Sequence, residues 1–492
     1  MGKMKEASSL KQKAASGMVW TALQKYSTLF IQFISGIILA RLLTPYDYGC
    51  IGMLAIFMVL AEVFIDGGFG SALIQKKRPT QEDYSTIFWW NMAMAFIMYV
   101  VLYACAPAIA TFYDIPLLCN VLRVQGLVLF IYAFNIVQRN QLKKKLNFRV
   151  LSIVTIITSI TSLCVTVYLA YKGFGVWALV AQNLIAAAIP AIVFWFFIKW
   201  RPILVFSWSS FRELFNFGFF MFLTNIVNKF FSKFTGLLIG KLYSPSTLGF
   251  YSKAMNVENL ASHSVSSIMS QVSYPLYAQV QDERVVLGNM IRRLTMTIAF
   301  ITFPVMFILM LTAKPIFVLL YSEKWLQSVP YFQVLCLIGL SECLQSVNTQ
   351  PIAAIGKSAL MFRWTLIKRG VGLFFVIGGL LFFQMKGLLV GVVIFNWFCY
   401  AVNIGLVSKY IGYNWKSQIM DLLPVTGAAV FSAIVSFVFG YYLHFPLYLD
   451  GVVKLLVYVF LYLGWAILFK PEAFTYTLSI VSKKQFRFLN KT

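Results

Sequence analysis

Long apolar runs separated by short clusters of Lys, Arg, Pro and Gly recur along all 492 residues. A helix that crosses a bilayer needs roughly 20 predominantly apolar residues, because each residue adds only about 1.5 Å to its length. Fourteen segments meet that condition, at approximately 17–40, 47–66, 86–110, 116–138, 150–171, 174–198, 211–240, 247–271, 290–312, 328–350, 360–383, 387–409, 421–442 and 449–469. Lipid offers no partners to backbone amides, so runs of this kind must satisfy their own hydrogen bonds as helices. The expected fold class is all-α, a polytopic membrane protein with about 14 transmembrane helices.

Two of these runs end alike. Residues 40–49 read ARLLTPYDYG and residues 240–249 read GKLYSPSTLG, and at the same offset of 200 the pairs Leu23/Leu223, Phe30/Phe230, Gly36/Gly236, Leu42/Leu242, Pro45/Pro245 and Gly49/Gly249 are identical. Six helices separate the copies, so both halves enter the membrane in the same direction and are expected to be related by an axis along the membrane normal, as in parallel transporter repeats. The corresponding domains are a six-helix bundle over 1–198, a cytoplasmic linker over 199–210, a second six-helix bundle over 211–409, and two further helices with a basic tail over 410–492.

The repeat also preserves polarity. Lys25, Thr28, Gln32 and Ser35 share one face of the first helix, and Asn225, Asn228, Ser232 and Thr235 take the same places in the seventh. The eighth helix carries Ser252, Asn256, Asn259, His263, Ser266 and Ser270 on one side, and the tenth carries Ser341, Glu342, Gln345 and Thr349. Such faces either bond neighbouring helices or line a polar cavity between the halves, where repeat transporters place their sites.

Charge adds direction. The chain is 60% apolar and 12% charged, with 41 Lys and Arg against 16 Asp and Glu. In a membrane protein such an excess collects in cytoplasmic loops or in a basic internal cavity, and not on nucleic acid. Placing the N-terminus inside puts Lys3, Lys5, Lys11 and Lys13, residues 76–78, Arg139, Lys143, Lys144, Lys145, Arg149, Lys199, Arg201, Arg212, Arg284, Arg292, Arg293, Lys357, Arg363, Lys409, Lys416 and the basic tail on the cytoplasmic side. The alternation holds through all fourteen segments, with both termini cytoplasmic. The first apolar run is long enough to remain as an uncleaved anchor. Seven scattered Cys without a CxxC and two distant His suggest neither disulfides nor a metal site, but buried, inert thiols.

A charge near the bilayer centre costs at least about 2.5–3.5 kcal/mol, so intramembrane ionisable groups point to function. Lys229 and Lys233 in the seventh helix, Lys25 in the first and Arg369 in the eleventh together make a candidate cationic lumen, with Lys25 and Lys233 also able to reach an interface. Lys253 and Arg123, near outer helix ends, are expected to snorkel. Glu258 and Glu342 lie deepest among the acids, and Glu62 and Asp66 share a face at the inner end of the second helix. Each acid is either a counter-ion or a proton or sodium site. The polar lining of the expected cavity is Thr28, Gln32, Asn225, Asn228, Ser232, Asn256 and Asn259.

Residues 17–75, above all ARLLTPYDYG and DGGFGSALIQ, resemble the start of the bacterial polysaccharide transporter family, the Wzx-type oligosaccharide flippases related to colanic acid exporters, in the superfamily of MATE transporters and lipid II flippases. The resemblance implies two six-helix bundles around a central cationic cavity. It also implies alternating-access export of an undecaprenyl-diphosphate-linked oligosaccharide to the outer leaflet of the bacterial inner membrane, with membrane lipids and polysaccharide assembly proteins as further classes of partner. No catalytic signature or cofactor comes with it, beyond coupling to H+ or Na+. A drug/cation antiporter would want acids dominating the cavity. A membrane polymerase or glycosyltransferase would want a large outer loop or paired carboxylates at an outer helix end, and neither is seen. The GFG at 68–70 follows a membrane helix and lacks the third Gly of a dinucleotide loop, so it is expected to be a flexible junction.

Overall fold

The computed structural model describes the backbone of residues 2–355 and 358–481, and side chains from Val19 to Leu478 except Phe217, Phe362, residues 356–359 and most positions in 263–279. The side chains of Lys3, Lys5, Lys11, Lys13, His263, Ser266 and Ser270, together with Lys357 and the tail beyond Val481, lie outside the described residues.

The helices of the described chain run in the order α1 (Gly2–Leu42), α2 (Pro45–Asp66), α3 (Phe69–Gln75), α4 (Gln81–Tyr113), α5 (Leu117–Gln125), α6 (Leu127–Lys144), α7 (Phe148–Tyr171), α8 (Val176–Phe197), α9 (Trp208–Leu242), α10 (Pro245–Gln279), α11 (Arg284–Leu311), α12 (Ala313–Tyr321), α13 (Ser328–Ala354), α14 (Ser358–Ile411), α15 (Trp415–Leu443), α16 (Leu447–Phe469) and α17 (Glu472–Val481). Every expected membrane segment falls on helical residues, with 116–138 divided between α5 and α6 at Gly126. Two of them, 360–383 and 387–409, are the arms of α14, which breaks where Phe383 (φ −133°, ψ 19°) and Gln384 (φ 52°, ψ −137°) leave helical geometry. Among the described residues ten helices are long and apolar enough to span a membrane, or eleven when the bent α9 is counted as one. Beyond these stand α10 and α13, the helices that carry Asn256, Glu258, Asn259, Ser341 and Glu342.

The repeated turns are built alike and touch each other. Thr44 caps α2 in a capping box with Asp47, with Pro45 in the first turn. Ser244 plays the same part for α10, accepting from the Thr247 amide at 3.1 Å. A β-carbon on Gly49 would overlap the backbone carbonyl of Pro245, and one on Gly249 would overlap that of Pro45. This reciprocity is what a two-fold relation between the turns produces. It also gives the shared Pro and Gly a cause: Pro starts each helix, and Gly lets the other helix's first turn approach.

Contacts divide the chain between Ser252 and Lys253, inside α10. In the first unit α1 packs on α7, and α9 packs on α2, α3 and α4. The 199–210 segment is fastened to α4: Ser85 Oγ accepts from the Ile203 amide at 3.1 Å, Thr86 Oγ1 accepts from the Ser207 amide at 3.0 Å, and Trp89 Nε1 donates to the Ile203 carbonyl at 2.8 Å. In the second unit α11 packs on α13, α15 and α17, and α13 on α14. A buried amide relay fixes three of these helices: Gln418 Nε2 donates to Asn348 Oδ1 at 3.1 Å and Tyr400 Oη donates to Gln418 Oε1 at 3.3 Å.

Two expectations are corrected. The 67–70 junction is not a loose hinge. Gly67 (φ 54°) and Gly68 (φ 78°) turn the chain in the left-handed region, Gly68 lies against the Gly218 backbone so closely that a β-carbon would overlap it, and the short helix α3 starts at once. The cysteines are not all buried either: Cys105 and Cys164 are exposed, since they fall on the outer faces of the apolar spans α4 and α7, where lipid suits a thiol as well as protein does.

Candidate functional site

In the first unit the charges gather where α2, α6 and α9 carry them. The Glu62 carboxylate lies within electrostatic reach of the Lys229 ammonium. One turn on, Asp66 accepts hydrogen bonds from the Gly68 and Gly70 amides and faces Lys143. Tyr132 sits among Glu62, Asp66 and Arg139, so two acids, three cations and a phenol share the region. Asp66 thereby caps the N-terminus of α3. Lys144 caps its C-terminus, donating to the carbonyls of Leu73 at 3.1 Å, Ile74 at 3.0 Å and Lys76. Negative charge at the start and positive charge at the end both complement the helix dipole, which explains how seven residues hold as a helix. Beyond it, Lys76 bridges Asp83 at 3.0 Å and Glu213 at 2.9 Å, tying the α3–α4 loop to α9. Burial opposes the Lys76 charge, but hydrogen bonds to Glu213 and Asp83 outweigh it and hold its pKa above the ordinary lysine value.

The remaining candidates of this unit are placed as follows. Lys229 and Lys233 are exposed on α9 and within electrostatic reach of one another. Ser232 is also exposed and donates its hydroxyl to the Lys229 carbonyl at 2.8 Å, while Asn225 and Asn228 are half-buried. On α1, Lys25 and Thr28 are half-buried and Gln32 is exposed; the Thr28 hydroxyl oxygen is buried and meets no hydrogen-bond partner among the described residues.

The second unit treats charge differently. Glu258 is 3% exposed and fills the space that the missing β-carbon of Gly339 leaves beside Met306. Ser262 and the Glu342 carboxylate are its polar neighbours, so α10 and α13 bring two like charges together. Asn259 is half-buried and Asn256 exposed. Arg369 is half-buried on α14 beside Lys368, whose Nζ donates to Asn403 Oδ1 at 2.8 Å. Among the described residues no three His, Cys, Asp or Glu side chains converge as metal ligands.

Some of this escaped the sequence. Lys368 is as deep in its apolar segment as Arg369 and had the same signal. Arg139, Lys143 and Lys144 were counted only as loop charge, although Arg139 faces Tyr132, Lys143 faces Asp66 of α2, and Lys144 caps α3. Lys253, expected to snorkel, is only 4% exposed and lies over the rings of Tyr321, at 4.0 Å, and Trp325, at 5.6 Å. Aromatic faces from the α12 region give the ammonium an alternative to water. Arg123 stacks over Tyr103 at 4.2 Å in the same way.

These features define a polytopic, all-α membrane protein that keeps charged groups inside its helical units. The family model described as "Polysaccharide biosynthesis protein" matches residues 38–330, more than half of the chain, and the protein belongs to that family. It is similar to the teichuronic acid biosynthesis protein TuaB of Bacillus subtilis (strain 168), 26% identical over 371 residues that cover 74% of this chain and 77% of that one. It is also similar to the succinoglycan biosynthesis transport protein ExoT of Rhizobium meliloti (strain 1021), 25% identical over 436 residues and 86% of each chain. Among solved structures, the lipid II flippase MurJ in an inward closed conformation shares the fold, with a TM-score of 0.73 and 15% identity over 92% of this chain and 98% of that one.

Proposed function

We propose that the protein is a flippase for surface polysaccharide assembly, moving an anionic lipid-linked oligosaccharide across the bacterial inner membrane by alternating access. Membership of the polysaccharide biosynthesis family and similarity to a succinoglycan transport protein support the substrate class. The observation that carries the reading is the exposed Lys229–Lys233 pair on a membrane helix, one member of which is balanced by Glu62. A diphosphate headgroup needs fixed positive charge in a region of low dielectric, where such charge acts more strongly than in water. The polar faces of α1 and α9, with Thr28, Gln32, Asn225, Asn228 and Ser232, supply donors and acceptors to sugar hydroxyls, and Lys25 adds charge. The polyprenyl tail stays in lipid. No enzymatic step is part of this reading.

Coupling to a proton or sodium gradient is assigned to the Glu258–Glu342 pair, since two adjacent carboxylates in a membrane protein make a site for a small cation. The same pair is what favours the second reading, a MATE-like drug/cation antiporter. The repeat is taken as six helices over 1–198 and six over 211–409, with 410–492 appended. In this reading both termini are cytoplasmic: cysteines introduced at Lys172 and Lys386 should label from outside, and those at Lys145 and Lys416 only after permeabilisation.

Deleting the gene tests the function. Lipid-linked sugar units should accumulate on the inner leaflet and clear when the wild-type gene is restored. Absence of accumulation, together with altered efflux of cationic drugs, would replace the flippase by the antiporter.

A further inference from the structure

Outside the sites above, the second unit contains a cavity of about 640 Å³ formed by the start of α11, the end of α14 and the start of α15. Arg284 and Trp415 are the first residues of two apolar spans, so the cavity sits at a boundary between membrane and water. Arg284, Arg292 and Lys416 line it, against a single carboxylate, Asp421. That carboxylate is already engaged. Arg292 donates to both of its oxygens at 2.8 Å and Tyr413 donates to Oδ2 at 2.7 Å. Burial and this hydrogen bond hold the Tyr413 phenol above its ordinary pKa, so it stays a donor. Arg292 also meets Glu472 of α17 at 3.0 Å, which leaves the cavity's arginine balanced.

Arg284 and Lys416 are different. Both are exposed at the cavity, and among the described residues neither makes an ion pair. Ser417 and Asn289 add polar atoms to the lining. Beside these groups the wall turns apolar: Val285 is 78% and Met420 60% exposed, and both line the cavity. A soluble anion would use the two cations and leave the apolar flank wet. A molecule with a phosphate at one end and acyl chains beside it would cover both.

We infer that this cavity binds the phosphodiester headgroup of an anionic phospholipid, with Arg284 and Lys416 on the phosphate and Val285 and Met420 against the acyl chains. The occupied site would brace the ends of α11 and α15 against one another from the lipid side. In the orientation proposed above, the lipid belongs to the cytoplasmic leaflet. The inference does not depend on the transported substrate.

The test uses the full-length protein purified in detergent, with phosphatidylglycerol binding read by native mass spectrometry against phosphatidylcholine. The wild type should retain phosphatidylglycerol preferentially. Arg284→Gln and Lys416→Gln should each weaken that binding about fivefold, from the usual contribution of one surface cation to anionic lipid, and Lys416→Arg should restore it. Both side chains are exposed, so an unchanged lipid-free thermal transition confirms that the variants fold. Lys77→Gln with Arg78→Gln, which removes two exposed cations of the other unit, should leave the adduct unchanged. Equal loss in that control would reduce the effect to diffuse surface charge, and an undiminished adduct in the Arg284 and Lys416 variants would place the lipid elsewhere. Complete displacement by inorganic phosphate would make it a site for a soluble anion. Each of these three results overturns the inference.

Discussion

The helices α2 and α10 begin from the same turn and then part company. Each has a Thr or Ser cap, a Pro in its first turn and a Gly against the other's Pro. Downstream, α2 presents Glu62 to an opposite charge, Lys229, and Asp66 to backbone amides, whereas α10 buries Glu258 beside a like charge, Glu342. The two helices are thus alike where the turns position them and differ where they hold charge. On α2 the acids meet opposite charge or amides, and on α10 and α13 they meet each other.

The largest effect is expected from the shared part. Gly49→Ala and Gly249→Ala each drive a β-carbon into a backbone carbonyl that cannot move aside as a side chain would, so each should cost about 3 kcal/mol or more and remove folded protein from the membrane fraction. Equal damage at both positions supports the two-fold relation of the turns; damage at one alone breaks it.

Next comes the part in which the copies differ. Lys229→Ala should lower transport about tenfold or more at normal abundance, a loss of at least ~1.4 kcal/mol, and Lys229→Arg should keep part of it because a point charge is what the phosphate needs. The double variant Lys229→Ala/Glu62→Gln removes both members of the pair; if it recovers transport, Lys229 serves only as a partner for Glu62 and the headgroup site lies elsewhere. In the other copy, Glu258→Gln and Glu342→Gln should each reduce gradient-driven transport severalfold while insertion is normal. Identical gradient dependence in both variants and the wild type would make the pair structural, and the contrast between the copies would lose its functional meaning.

The smallest effect concerns α3. Lys144→Gln weakens the charge-assisted cap on that helix, and a loss of about 1 kcal/mol in stability is expected, visible as a lowered thermal transition with transport retained. A transport defect as large as that of Lys229→Ala would show that α3 belongs to the substrate path and is more than a brace.

The helices were legible because a bilayer imposes length and apolarity on each segment separately, and the repeat because caps, Pro and Gly are local. The partners of charges were not. Glu62 and Lys229 stand on different helices, and nothing near either in sequence names the other; Lys253 had the position of a snorkelling residue, and only the fold brings Tyr321 and Trp325 beneath it. The helix α3 was missed since its seven residues are stabilised from outside, by Asp66 at one end and Lys144 at the other. Lys368 is the exception, legible by the rule that singled out Arg369.

The crossed contact of Gly49 with Pro245 and Gly249 with Pro45 has a consequence for descent. Symmetric patches of this kind belong to isologous interfaces, in which one surface meets its own copy. In a half-length ancestor acting as a dimer, a single Gly and a single Pro would have served both contacts, and any mutation would have struck twice at once. In one chain the two copies could mutate separately, but at this crossing a side chain on either Gly alone would meet the other turn's backbone. Descent from such a dimer would leave this turn as the place where each half still depends on the other.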